Sequence, residues 1–306
     1  VVIKNINFSD VDNHMNWNEL TDALIAGHKL PKAQIQDVVL SRHEDTLLSR
    51  VAWIDGLGQL VKTATIFPEN TKNGCPAING AVSIFSDKSG KLEAIIDFHL
   101  VTKWKTAADS LLSTKKLARK NSKNILLVGS GTVSASMLDA YSSLFPKASF
   151  FVWGRTSKNA LKFQKTYGAI FEPNLQKAVE NADIICTATM SKDPLIKGEW
   201  LRPGQHLDLI GAYKADMREV DDLALKKGRI FVDSYETTLG HIGELKIPLE
   251  AGVIRKKDII SDFYDLSKFK RISNNDITIA KNGGGAHLDL ITAKYIFEKW
   301  SNNDQA

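Results

Sequence analysis

Two rhythms divide the chain. Up to residue 117, apolar positions come in short alternating runs, and TLLSRVAWI, GQLVKTATIF, GAVSIFS and KLEAIIDF each read as a strand. The turn-forming stretches DGLG and SDKSG separate neighbouring runs. Ahead of them NWNELTDALIAGHK has its apolar residues at helical spacing, and the spacing is helical again from Val101 to Leu117. After Asn124 the apolar runs NILLV, SFFVW, DIICTA, HLDLIG and RIFVD alternate with helical stretches such as SKNALKFQKTYG and NLQKAVENA. That alternation predicts a parallel sheet covered on both faces. A last helix, GAHLDLITAKYIFEKW, is placed to pack back on the first domain. The expected class is α/β, with a domain over residues 118–286 inserted into an α+β domain made of 1–117 plus 287–306.

The 306 residues, 43% hydrophobic and 25% charged, suffice for two modest domains of an ordinary soluble protein. A net charge of +5 is spread along the chain, so nucleic acid is not indicated. No apolar run approaches the roughly 20 residues of a membrane span. The opening VVIKNINFSD is too short and too polar for a secretory signal. Cys75 and Cys186 form no paired motif and read as buried or incidental, and no metal-ligand cluster is evident. The expected setting is the cytoplasm.

The stretch NILLVGSGTVS runs from a strand through a glycine turn into a helix. Gly129 permits the tight turn, Gly131 lets backbone approach a pyrophosphate, and Ser134 is the small residue required at the third position. The helix start then offers free N–H groups and a positive dipole end to phosphates. The second strand ends FFVWGRTSKN, with no acidic residue between Pro146 and Phe171 for a ribose hydroxyl. Arg155, Thr156, Ser157 and Lys158 follow instead, a set suited to a 2′-phosphate. The alternative reading is a solvated helix start. The cofactor expected is NADPH, with NADH as the weaker alternative.

Three cations share faces with apolar residues. Period-2 spacing puts Lys62 with Leu60, Ala64 and Ile66, and Arg50 with Leu48, Ala52 and Ile54. Helical spacing puts Lys105 with Val101, Trp104, Ala108 and Leu112. One such side chain can snorkel its charge into water. Three in one domain suggest a small carboxylate substrate that compensates them, because unpaired buried cations are costly.

With these features in hand, the chain resembles the ornithine cyclodeaminase/μ-crystallin family from about Leu47 onward. VKTATIFP is similar to the family's lysine-bearing strand, and WKTAADSLLSTKKLAR to its R-T-A-A-x-S segment. LLVGSGTVS, VWGRTSKNA, DPLIKGEWLRPGQHLDLIGA and NGGGAHLDLITAKYI follow in the family's order and spacing. The resemblance implies a Rossmann domain inserted in a substrate and dimerisation domain, and a homodimer. It implies substrate contacts from Lys62, Lys105, Tyr213 and His287. A further family arginine falls near Asp37, a departure from the pattern, and Arg50 is its expected replacement by charge and facing, not by a motif match. The arginine of R-T-A-A is here Lys105, which keeps the charge and loses planar bidentate recognition. For the cofactor it implies Thr106, the loop residues Gly129, Ser130, Gly131, Thr132 and Val133, then Arg155, Thr156 and Lys158, and Thr187, Ala188, Thr189 and Gly211.

Cyclodeaminases carry an aspartate two residues beyond the glycine of Gly211, where this chain has Tyr213. A tyrosine, with a pKa near 10, is a poor proton shuttle for a reaction that oxidises, cyclises and re-reduces. Asp216 is the nearby substitute. His287 reads either as a polar residue in the first turn of the last helix or as a substrate contact. The expected activity is NADPH-dependent reduction of a small cyclic ketimine acid such as pyrroline- or piperideine-2-carboxylate, with Lys62 both holding carboxylate and donating a proton. The alternatives are an ornithine cyclodeaminase, an acyclic amino-acid dehydrogenase, and a non-enzymatic protein that keeps NADPH and a small ligand.

Overall fold

A computed structural model describes residues 3–303. Its chain falls into two compact units, one of residues up to Thr106 together with those from Gly285 onward, the other of Ala107–Gly284. The division lies within a helix, ahead of the 117/118 boundary expected from the sequence.

The first unit opens with β1 (Lys4–Ile6), α1 (Phe8–Val11) and α2 (Trp17–Gly27). The long strands β2 (Gln34–Arg42), β3 (Asp45–Ile54) and β4 (Gly58–Ile66) follow, then β5 (Ile78–Phe85), β6 (Leu92–Asp97) and the start of α3 (Phe98–Leu117). The sheet order is β1-β6-β5-β4-β3-β2, antiparallel except where β1 joins β6. β2 has no counterpart among the strands that the sequence pattern predicts. Its residues are mostly exposed, so QIQDVVLSR carries no in-and-out alternation to announce it. Trp17 stacks on Trp104 with ring centroids 3.8 Å apart, which ties α2 to α3.

The second unit alternates as expected: β7 (Asn124–Val128), α4 (Thr132–Leu144), β8 (Ser149–Trp153), α5 (Ser157–Tyr167), β9 (Ile170–Phe171), α6 (Leu175–Asn181) and β10 (Ile184–Thr187). Then come β11 (His206–Leu209), α7 (Asp222–Lys227), β12 (Arg229–Val232), α8 (Tyr235–Thr238), α9 (Gly243–Glu250) and β13 (Thr278–Lys281). All pairings are parallel in the order β12-β13-β11-β10-β7-β8-β9. Strand β13, which has no counterpart among the strands that the sequence pattern predicts, inserts between β11 and β12. Residues such as Leu126, Val128, Ile185, Leu207 and Ile279 form the core of this unit. Helix α10 (Ala286–Asn303) returns to the first unit, against α2 and across β2 to β5. No described helix is long and apolar enough to cross a membrane.

Candidate active site

At the end of β7 the chain turns through Gly129 at φ 121°, a conformation that side chains resist. A Cβ there would lie 2.6 Å from the Ala188 carbonyl oxygen. The Gly129 N–H donates to Trp153 O at 2.8 Å, which fastens the turn to the end of β8. Gly131 is the N-cap of the 13-residue α4, no side chain caps that end, and a Cβ on Gly131 would meet nothing within 4 Å. The helix start therefore presents uncapped N–H groups beside an open approach. Ser134 is buried at the third position of the fingerprint. A cavity of about 320 Å³ adjoins the loop, lined by Ser130, Thr132, Asn159, Lys162 and Phe163 among others. Arg155, Thr156 and Lys158 are exposed between β8 and the first turn of α5, which holds no acidic residue. This donor set fits a dinucleotide pyrophosphate, with cations at the ribose end.

In the first unit, register places Asp37, Arg50 and Lys62 in one cross-strand row of β2, β3 and β4. Lys62 is 6% exposed, and its Nζ donates to Asp289 Oδ1 at 2.8 Å and to Thr102 Oγ1 at 2.9 Å. Asp289, on α10, is fully buried. Arg50 forks onto Asp37, with Nη2 to Oδ2 at 2.7 Å and Nε within 3.1 Å of both oxygens. Lys105 is 8% exposed and has no hydrogen-bond or ion-pair partner among the described residues. His287, buried in the first turn of α10, lies edge-on to His28 with centroids 5.3 Å apart.

These groups form one electrostatic cluster. Burial pushes the Lys62 ammonium below its usual range, and Lys105 and Arg50 add to that fall while Asp289 opposes it. Burial resists ionisation of Asp289, yet Lys62, Lys105 and Arg50 outweigh it and hold the carboxyl below its ordinary value. Burial, then His28 and Lys105, drives His287 well below the usual imidazole value, so it is neutral at physiological pH. Within this buried set two cationic side chains, Lys62 and Lys105, face one carboxylate, Asp289, an arrangement that suits an anionic ligand.

The premise of three uncompensated cations is therefore corrected. Lys62 and Arg50 already have carboxylate partners, and Lys105 alone does not. The sequence reading does not include Asp289, whose signal is a carboxylate set between Leu288 and Leu290. Tyr213 lies on a loop of the second unit, 52% exposed, and Asp216 beside it forms a surface ion pair with Lys192 at 2.8 Å. Thr106 is half-buried on α3, and Thr187 is wholly buried at the end of β10. Cys75 is exposed and Cys186 buried, both free thiols. No metal-holding cluster occurs among the described residues.

The ornithine cyclodeaminase/mu-crystallin family model matches residues 53–304. A Δ1-pyrroline-2-carboxylate reductase of Paracoccus denitrificans is 45% identical over 300 residues, covering 95% of each chain. Among solved structures, a Thermococcus litoralis Δ1-pyrroline-2-carboxylate reductase in complex with NADH and L-proline superposes with a TM-score of 0.90 at 28% identity, over 99% of this chain and 98% of the other. An archaeal alanine dehydrogenase dimer with bound NAD gives 0.89 at 26% identity, over 99% and 97%.

Proposed function

The chain belongs to the ornithine cyclodeaminase/mu-crystallin family, and we propose that it reduces a small cyclic ketimine carboxylate, of the pyrroline- or piperideine-2-carboxylate type, to a cyclic L-amino acid. The observation that carries this reading is Lys105, buried without an ion-pair partner in the same cluster as Lys62. The pair sets two cationic side chains against one carboxylate, Asp289. Lys62 Nζ–H donates to the imine nitrogen when the imine arrives unprotonated, and Asp289 orients that ammonium. A bound nicotinamide dinucleotide supplies the hydride that completes the C–H bond at the imine carbon. Much of the acceleration comes from positioning. Tyr213 and the surface-paired Asp216 leave the loop after β11 without a free carboxylate for cyclodeamination.

NADPH is the proposed cofactor. The acid-free end of β8 and the exposed Arg155 and Lys158 support it, whereas the similar Thermococcus litoralis enzyme holds NADH. A homodimer is proposed through β2, an edge strand on which Val38, Val39 and Leu40 are 46%, 59% and 61% exposed. The proposed setting is the cytoplasm, which suits the two free thiols.

The test is NADPH oxidation across cyclic imino acids, acyclic 2-oxo acids with amine, and L-ornithine. Turnover confined to the cyclic imines is the expected result. Ornithine giving proline and ammonia, or turnover only on acyclic 2-oxo acids, overturns the assignment. Binding without turnover makes the protein a ligand carrier.

A further inference from the structure

We infer that Glu219 is a positioning residue for hydride transfer, a buried carboxylate that clamps the loops after β10 and β11 into one ledge beneath the nicotinamide half of the cofactor. The inference rests on the reading that the second unit binds a nicotinamide dinucleotide.

Glu219 is wholly buried, and five donors converge on its carboxylate. Oε1 accepts from Thr189 N and Thr189 Oγ1, each at 2.8 Å. Oε2 accepts from Thr187 Oγ1 at 2.7 Å, Gly211 N at 2.8 Å and Ala212 N at 3.3 Å. The first three donors stand at the end of β10 and the last two at the end of β11, neighbouring strands of the parallel sheet. A Cβ on Gly211 would lie 2.1 Å from Thr189 O and 2.4 Å from Glu219 Oε1, so the loops touch at the clamp.

Glu219 is itself held from behind. Its N–H donates to Glu244 Oε2 at 2.6 Å, the Val220 N–H to Glu244 Oε1 at 3.1 Å, and its carbonyl accepts from Leu195 and Ile196, each at 2.9 Å. Two loops at the carboxyl ends of adjacent parallel strands border the crevice where such sheets bind dinucleotides. The glycine loop donates to Trp153 O at the end of β8 on one side and packs against Ala188 of the ledge on the other. The adenosine half answers to the β8 side, where the exposed Arg155 stands, and the nicotinamide half answers to the ledge.

All five contacts are donors, so Glu219→Gln keeps size and sets an amide NH₂ against at least one N–H or hydroxyl. In this variant kcat with a cyclic imine and NADPH should fall on the order of a hundredfold, the cost of shifting a reacting group by about 1 Å. The isotope effect with 4-deuterated NADPH should rise as hydride transfer becomes limiting. Affinity for adenosine 2′,5′-bisphosphate, the adenosine fragment of NADPH, should stay within about threefold. Thr187→Val removes one buried donor without changing shape, and should move kcat and the isotope effect the same way by a few-fold. It decides the question should Glu219→Gln not fold. Unchanged kcat and isotope effect in the folded variant overturn the inference. So does loss of fragment affinity in proportion to NADPH affinity, which marks a general scaffold. If the wild type turns over no imine, the reductase reading fails on its own. The ledge is then judged by whether the variant weakens NADPH and spares the fragment.

Discussion

Lys62 Nζ and Asp289 Oδ1 lie 2.8 Å apart although 227 residues separate them in the chain. β4 carries the cation and α10 the anion, so the pair exists only because the last helix returns across the first sheet. Removing one partner of a buried pair leaves the other charge uncompensated. Asp289→Asn keeps an oxygen for Lys62 and deletes the charge that supports its proton. The lysine pKa should fall further, and the basic limb of the kcat–pH profile should move to lower pH. A limb at the wild-type position would mean that Lys62 is not the proton donor.

Lys62→Met and Lys105→Met should separate by stability. The first leaves Asp289 buried and unpaired, at a cost of about 3–5 kcal/mol. The second removes a cation that has no partner, and thermal unfolding should be unchanged or raised. Both should lose about 1.5–3 kcal/mol in kcat/KM for the imine acid, with NADPH affinity retained because the glycine loop is in the other unit. For Lys105→Met the loss should sit in KM. Wild-type kinetics in both variants would remove the carboxylate assignment.

Arg155→Ala should weaken NADPH by roughly one to two orders of magnitude, the scale of a charge-assisted phosphate contact. NADH binding should hardly change. Calorimetric titration of both cofactors decides it, and equal weakening of the two would exclude a 2′-phosphate contact at Arg155.

Leu40→Glu places a charge on the exposed edge strand beside Leu47 and Phe67, which line a cavity of about 280 Å³ with it. Sedimentation should show a dimer for the wild type and a shift to monomer for the variant. A wild type that sediments as a monomer at micromolar concentration would exclude the interface.

Periodicity was enough to place Lys62 and Lys105. Alternation along GQLVKTATIF and helical spacing along LVTKWKTAADSLL each leave one side for the cation, and that side is buried. The partner of Lys62 was not legible. Whether Asp289 meets Lys62 depends on the path of α10, a contact between chain ends that local spacing does not encode. The same holds for β13, where a four-residue run ends in a lysine. Burial of Lys281 requires its three bonds, to Leu209 O at 3.0 Å and to Ala212 O and Asn282 O at 2.8 Å. The Leu209 and Ala212 carbonyls come within reach only when β13 inserts beside β11. Glu219 escaped for a similar reason, since its five donors come from two loops brought together by the sheet.

Asp208 makes the stability of the fold depend on pH. It is wholly buried in β11, where Oδ2 accepts from Ser110 Oγ at 2.5 Å, Tyr141 OH at 2.7 Å and Thr114 Oγ1 at 3.0 Å. Oδ1 accepts from Asn282 Nδ2 at 3.2 Å. Burial raises the carboxyl to about 6, against the hydroxyl donors and Lys281. Between the unfolded value of 3.8 and about 6, the folded state keeps a proton that the unfolded chain has released. The contribution to stability is therefore greatest below the unfolded value, declines as pH rises through this window, and is constant above it. The decline is on the order of 3 kcal/mol. Asp208→Asn does not titrate and can keep every contact. Its oxygen accepts the three hydroxyls, and its amide donates to Asn282 Oδ1, which has no partner in the wild type, once that side chain flips. Urea unfolding of both proteins should show the variant gaining on the wild type from pH 4 to about 6.5, with a constant difference beyond. Titrations elsewhere cancel in the comparison. A difference that does not change with pH would mean that Asp208 is ionised throughout, held so by its hydroxyl donors.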